Sequence, residues 1–202
     1  MRALASAAPA PAPAPAYARP PAPGQATLRT RRGCALAISV YPHFSYDASG
    51  GGGTATATTE SGRTALEFAA GDVTIPRLDW RTARFLGLPL PPGLAIDVQP
   101  LALTGWVDEG SGEVELDFRA DFFFTGLFGL YAPPAIKVTT RLSTAGATGS
   151  MLTGTGRRRA PDGSARLAGV ARVDPTGDAL LDWFLRAPSE CLAELEADLV
   201  LG

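Results

Sequence analysis

The sequence predicts a mainly β fold: a single antiparallel barrel or two-layer sandwich of about eight or nine strands with one or two short helices. Three observations carry this. Val114, Leu116, Phe118, Ala120, Phe122 and Phe124 occupy every second position, with Glu113, Glu115, Asp117, Arg119 and Asp121 between them, which is the period of a strand with one wet face. Turn clusters recur at short intervals, at Glu60-Ser61-Gly62, Asp108 to Gly112, Ala145-Gly146 and Pro161-Asp162-Gly163, as consecutive hairpins require. Clear helical spacing is confined to Leu180, Leu181, Phe184 and Leu185, which Asp178 can cap and Pro188 stops.

The elements follow in order. Residues 1 to 26 hold 11 Ala and 7 Pro, no acidic residue precedes Asp47, and Arg2, Arg19, Arg29, Arg31 and Arg32 supply all the charge through residue 34. Alternating Ala and Pro removes backbone donors and offers no periodic apolar face, so residues 1–34 are expected to be a disordered leader. Its Arg, Ser and Thr content without acids suits an organelle-targeting presequence, with cleavage expected near Cys34; the plainer alternative is a Pro-rich tail. Residues 35–52 form a linker and first strand, and residues 53–202 one β-rich domain. Within it, Thr54 to Phe68 reads as a hairpin. Ile96 to Trp106, broken at Pro100, pairs across the Asp108 turn with the alternating strand. Ile136, Val138, Thr140 and Leu142 alternate again, followed by a Thr- and Gly-rich strand near Ser150 to Gly156 and a return from Leu167 to Val173. A short helix is expected over Asp79 to Phe85, and Ala193 to Leu201 fits a closing strand better than a helix.

Composition excludes several activities. Beyond residue 34, 13 basic groups face 20 acidic ones, a charge of −7 over about 168 residues, which repels a nucleic-acid backbone. No run of 18 uncharged apolar residues exists, so no transmembrane segment is expected. One His and two Cys cannot build a zinc site that needs about four N or S ligands, and neither metal nor cofactor is expected. His43 is the only base available to a Ser or Cys nucleophile, and Gly50 to Gly53 lacks the Lys-Ser/Thr of a phosphate loop. Asp117 and Asp121 share a face about 13 Å apart, too far for a glycosidase pair, although a cross-strand pair such as Asp97 with Asp117 stays open. No catalytic residue is assigned, and the balance leans away from an enzyme. Cys191, without Cys34, reads as a buried free thiol.

Two uncharged loops are the candidate site. Phe85 to Leu94 carries no charge, and neither does the stretch between Asp121 and Lys137. Phe85, Leu88, Leu90, Phe123, Leu127, Phe128 and Tyr131 are the candidate ligand or partner patch, unless the loops simply fold inward to complete the core. Arg157, Arg158 and Arg159, before a hairpin turn, are a candidate anion contact.

Phe44-Ser45-Tyr46-Asp47, Phe85-Leu86-Gly87-Leu88-Pro89-Leu90-Pro91-Pro92, Ser111 to Phe118, Tyr131-Ala132-Pro133-Pro134 and Glu190-Cys191-Leu192-Ala193 resemble segments of an uncharacterised family of plastid-targeted, β-rich proteins of land plants and green algae. The resemblance spans about residues 44 to 200 and implies a chloroplast location, in the stroma or on the stromal face of the thylakoid; it supplies no activity. The expectation is a non-enzymatic chloroplast β-domain that binds an apolar small molecule (lipid or pigment) or a membrane surface through the two loops. The second reading is an assembly or scaffold protein of a photosynthetic complex, with a protein partner on the same patch. A carboxylate-dependent enzyme ranks third.

Overall fold

The computed structural model describes residues 21–202. Its strands are β1 (Gln25–Thr30), β2 (Cys34–Ile38), β3 (Phe44–Tyr46), β4 (Gly52–Glu60), β5 (Arg63–Phe68), β6 (Ala83–Phe85), β7 (Leu88–Pro89), β8 (Ala95–Asp108), β9 (Glu113–Thr125), β10 (Ile136–Ser143), β11 (Ala147–Thr148), β12 (Thr153–Gly154), β13 (Ser164–Val173) and β14 (Ser189–Leu201). One helix, α1 (Ala179–Leu185), precedes β14. Eight strands close a circuit, β1-β4-β5-β8-β9-β10-β13-β14 and back to β1, with every pairing antiparallel. The fold is therefore a barrel. It has more strand segments than the sequence suggests because two- and three-residue strands extend one side.

The wall forks at β14. Its last residues pair with β1, Leu201 opposite Ala26, and its first residues pair with β2, Cys191 opposite Ile38. Between β1 and β2 the chain kinks at Gly33, whose φ of 87° suits a residue without a Cβ. β3, β6 and β7 continue outward from β2.

This corrects the leader boundary. Residues 25–34 belong to the barrel: Ala26 is fully enclosed, and the Cys34 thiol is buried, donating to the Arg31 carbonyl and accepting from the Glu196 amide at 3.3 Å each. Cleavage near Cys34 would remove a wall strand. Residues 1–20 of the expected leader lie outside the described residues. The expected helix over Asp79 to Phe85 is instead a turn, in which the Asp79 carboxylate accepts from the Arg81 amide at 2.7 Å, leading into β6.

The alternation in β9 does what its period demands. Val114, Leu116, Ala120 and Phe124 are buried, and Asp117 and Arg119 face solvent. This apolar-in, charged-out order is the reverse of a lipid-facing barrel. No helix among the described residues is long and apolar enough to cross a membrane. At Pro100 the ladder slips by one residue, leaving Leu101 as an exposed bulge.

Two ends can be distinguished. The turn end carries the Glu60–Arg63, Asp108–Glu113 and Pro161–Gly163 connections. The helix end carries residues 39–43, 86–94, 126–135 and 174–188, including α1. Buried side chains form two clusters: one around Leu66, Val107, Leu116 and Leu199 at the turn end, the other around Tyr46, Phe124, Val138 and Leu185 at the helix end.

A strap built on the β11–β12 hairpin crosses the outside of β13 and β14. The Glu190 carboxylate accepts from the Ser150, Met151 and Leu152 amides at 2.7, 2.8 and 3.1 Å, and Glu194 accepts from the Thr155 amide at 2.6 Å. Beneath it, Leu192 is buried, and Gly154 lies so close to its side chain that a Cβ there would meet Cδ1 at 2.5 Å.

Candidate functional site

The two core clusters do not meet completely. Between them lies an apolar cavity of about 170 Å³. Leu28, Leu103 and Leu142 line it from the turn end, and Phe122, Val138 and Leu185 from the helix end. It sits where the wall forks, because β1 and β2 diverge there and the segment Val73–Pro76 crosses the gap. The polar groups that reach this wall are already engaged. The Thr30 hydroxyl donates to the Ala48 carbonyl at 2.6 Å, Thr140 donates to the Val170 carbonyl at 2.9 Å, and the Tyr46 hydroxyl donates to the Pro76 carbonyl.

Burial pushes the Tyr46 phenol well above its ordinary range, with the neighbouring Cys34 and Asp47 adding to the effect. Burial likewise pushes the Cys191 thiol, also on this wall, up to about 11. Cys34 is raised as well, first by burial. All three are neutral at pH 7, so none is a nucleophile or base there. Both cysteines are free. Such a wall can hold an apolar molecule, but it supplies no proton transfer.

α1 covers the cavity at the helix end. Asp178 caps it, accepting from the Leu181 amide at 2.8 Å, and this bond, with the Tyr131 hydroxyl donor at 2.7 Å, holds the carboxyl below its usual range. Of the apolar residues expected on one side, Leu181 and Leu185 do face the barrel, but Leu180 and Phe184 are exposed, as is Trp183. The helix is apolar on both faces. Phe184 stacks on Tyr41 at 5.4 Å between ring centroids, and the Tyr41 hydroxyl donates to the Phe184 carbonyl.

The seven predicted patch residues divide. Leu90 is buried and Phe85 is half-buried, its ring tilted against Phe44 with centroids 4.7 Å apart within the helix-end core; both are corrected to core positions. Phe123 is exposed on the outer wall opposite Asp97. Leu88, Leu127 and Phe128 stand in solvent at the helix end, Phe128 with 82% of its surface exposed. Tyr131 is half-buried and ties its loop to α1 through Asp178. Leu130, in the same uncharged loop, is exposed on this rim at 89%; sequence reasoning missed Val40, Trp80, Leu180 and Trp183, also exposed there, Trp183 at 75%. The available signal was α1 itself, since Leu180-Leu181 and Trp183-Phe184-Leu185 leave no wet face.

The other candidates come apart. Arg157 pairs with Glu196 at 2.8 Å and Arg159 donates to the Leu199 carbonyl at 2.7 Å, so two of the three arginines serve the fold and only Arg158 is left for an anion. The cross-strand carboxylate pair does not form: Asp97 lies opposite Phe123 and Asp117 opposite Thr104, six positions away on β9, about 20 Å at strand rise. Asp117 is instead held by Arg141 at 3.0 Å. His43 is exposed on the connection between β2 and β3. No cluster of three or more His, Cys, Asp or Glu residues suited to a metal exists among the described residues.

No family model, curated protein or solved structure matches the chain.

Proposed function

We propose that this barrel binds a small apolar molecule in its interior without transforming it. The observation that carries the reading is the apolar cavity of about 170 Å³ between the two core clusters. A dry apolar cavity of about 150 Å³ is enough to hold a benzene-sized ring, so the fitting class is one ring, a short branched chain or the end of a longer acyl or isoprenoid chain. Large cores normally close such gaps because unfilled space costs stability. On this reading the Arg-bearing, acid-free leader delivers the chain to a plastid, where lipids and pigments of that class abound.

The test is direct. Extraction of the purified chain into organic solvent, followed by mass spectrometry, should recover a stoichiometric apolar molecule. Benzene added to the extracted protein should raise Tm, and Ala171→Leu, which fills the cavity, should abolish the rise. An empty extract together with no rise would sink the proposal.

A further inference from the structure

We propose that the helix end docks on the surface of an anionic lipid bilayer, its uncharged loops entering the headgroup boundary while three arginines meet lipid phosphates. The proposal stands apart from the cavity reading, and either can fail alone.

The apolar side chains on this rim come from separate segments. Leu86 and Leu88 project from the β6–β7 turn, Leu127, Phe128 and Leu130 from the β9–β10 loop, and Trp183 from α1; all are exposed. The two loops are uncharged from residue 85 to 96 and from 122 to 136. The backbone is also committed to this display. Leu86, Leu127 and Phe128 have φ of 50°, 48° and 56°, a left-handed conformation that bulky residues avoid. Their side chains give the core nothing in return. Phe128 is held over Gly93, where a Cβ would meet its backbone nitrogen at 2.9 Å.

Charge selects the partner. Two carboxylates of this end are neutralised by ion pairs, Asp97 by Arg77 at 3.2 Å and Asp174 by Arg172 at 2.7 Å, whereas Asp178 and Asp182 stay ionised and are held on backbone amides, Asp178 by the α1 cap and Asp182 by Thr176 and Gly177 at 2.7 and 3.0 Å. Glu190 is held by the strap and Asp79 by the Arg81 amide, while Asp121 lies across the ladder from Lys137 without an ion pair. Arg81, Arg84 and Arg186 are exposed and have no carboxylate partner among the described residues. The Arg81 guanidinium lies 4.9 Å from the Trp80 ring centroid. Loop tips of Leu, Phe and Trp flanked by unpaired guanidinium groups are the chemistry of an anionic bilayer interface. The charged outer wall limits entry to the loops, so the domain would rest on the bilayer rather than span it.

The full chain is to be sedimented with vesicles of phosphatidylcholine alone or mixed with phosphatidylglycerol. The expected result is binding to the mixed vesicles, weakened by salt, with a blue shift in tryptophan emission that Trp183→Phe reduces. Phe128→Gly relieves the left-handed strain, so it should be at least as heat-stable as the parent yet bind about tenfold more weakly. The triple variant Arg81→Gln, Arg84→Gln, Arg186→Gln should lose the preference for phosphatidylglycerol, by about fivefold per arginine. Ala171→Leu should bind vesicles like the parent, which separates docking from cavity binding. A parent chain that stays in the supernatant with both vesicle types overturns the proposal. So does a Phe128→Gly variant that binds like the parent, or a dimer of the free chain that Phe128→Gly dissociates, since the rim would then belong to a second copy.

Discussion

At the turn end of the barrel, Val107 and Leu116 are fully enclosed, and the turns outside carry paired polar groups: Arg63 lies 4.4 Å from the Trp106 ring centroid, and Thr64 donates to Glu109 at 2.7 Å. Toward the helix end the turn-end core gives way to a cavity, the covering helix is apolar outside as well as inside, and Leu and Phe residues occupy left-handed backbone. The same antiparallel wall serves both. The turn end concentrates the packing that stabilises the fold, whereas the helix end gives up packing that an ordinary core would keep. A pattern of that kind fits a site located where stability is deliberately lower.

Experiments can break this contrast or sharpen it. The largest effect belongs to the fork: a chain beginning after Arg32 lacks β1, exposes the edges of β4 and β14, and should show no cooperative urea transition. Next, Leu116→Ala at the turn end should lower the free energy of unfolding by about 3 kcal/mol in urea titration, because the surrounding wall cannot collapse into the space. Ala171→Leu, which adds volume beside the cavity, should cost no more than about 1 kcal/mol and can stabilise, since room already exists; a loss as large as that from Leu116→Ala would mean the helix end is as tightly packed as the turn end. A smaller change is local. Asp178→Ala removes the α1 cap and the Tyr131 contact, so the Leu181 amide should exchange hydrogen severalfold faster while the Leu116 amide is unaffected.

The smallest effect is pH-dependent and concerns the strap. The backbone amides of Ser150 and Met151, followed by the Ser150 hydroxyl and the Leu152 amide, hold the Glu190 carboxyl at about 2, well below its ordinary 4.5. A depressed folded value means that the stabilisation is complete above about pH 4.5 and is lost as pH falls toward about 2. The protection of the Ser150 and Met151 amides, measured against their intrinsic exchange rates, should therefore fall through that window, and in Glu190→Gln it should already be low at pH 7.

Much of the wall was legible in the sequence. The six apolar and five charged residues of β9 announce a one-sided strand, Asp178 marks the α1 cap, and Ala193 to Leu201 closes the sheet, because each signal is local and periodic. β1 was not legible: Ala26 and Leu28 alternate with Gln25, Thr27 and Arg29 for only six residues, next to an Ala- and Pro-rich stretch and three arginines that read as leader. Its strand character comes from pairing with β4 and β14, far away in the chain. The cavity was invisible for a related reason. Alternation says that Phe122 and Val138 point inward, but not whether they meet anything there. Leu90 and Leu88 show the same limit, since two neighbouring leucines of one uncharged loop separate into core and surface only when β7 is placed against β6.

The fork at β14 also orders the history of the chain. β1 leaves the ribosome before the other wall strands, yet the partner of its Leu28, Leu199, comes about 170 residues later, so the barrel cannot shut until nearly all of it has been made. Until then β1 and β4 present a free edge, and the contacts that finish the wall are among the most distant in sequence. Such non-local closure is slow and exposes strands to mispairing. The barrel's last event in folding is therefore the meeting of its two ends.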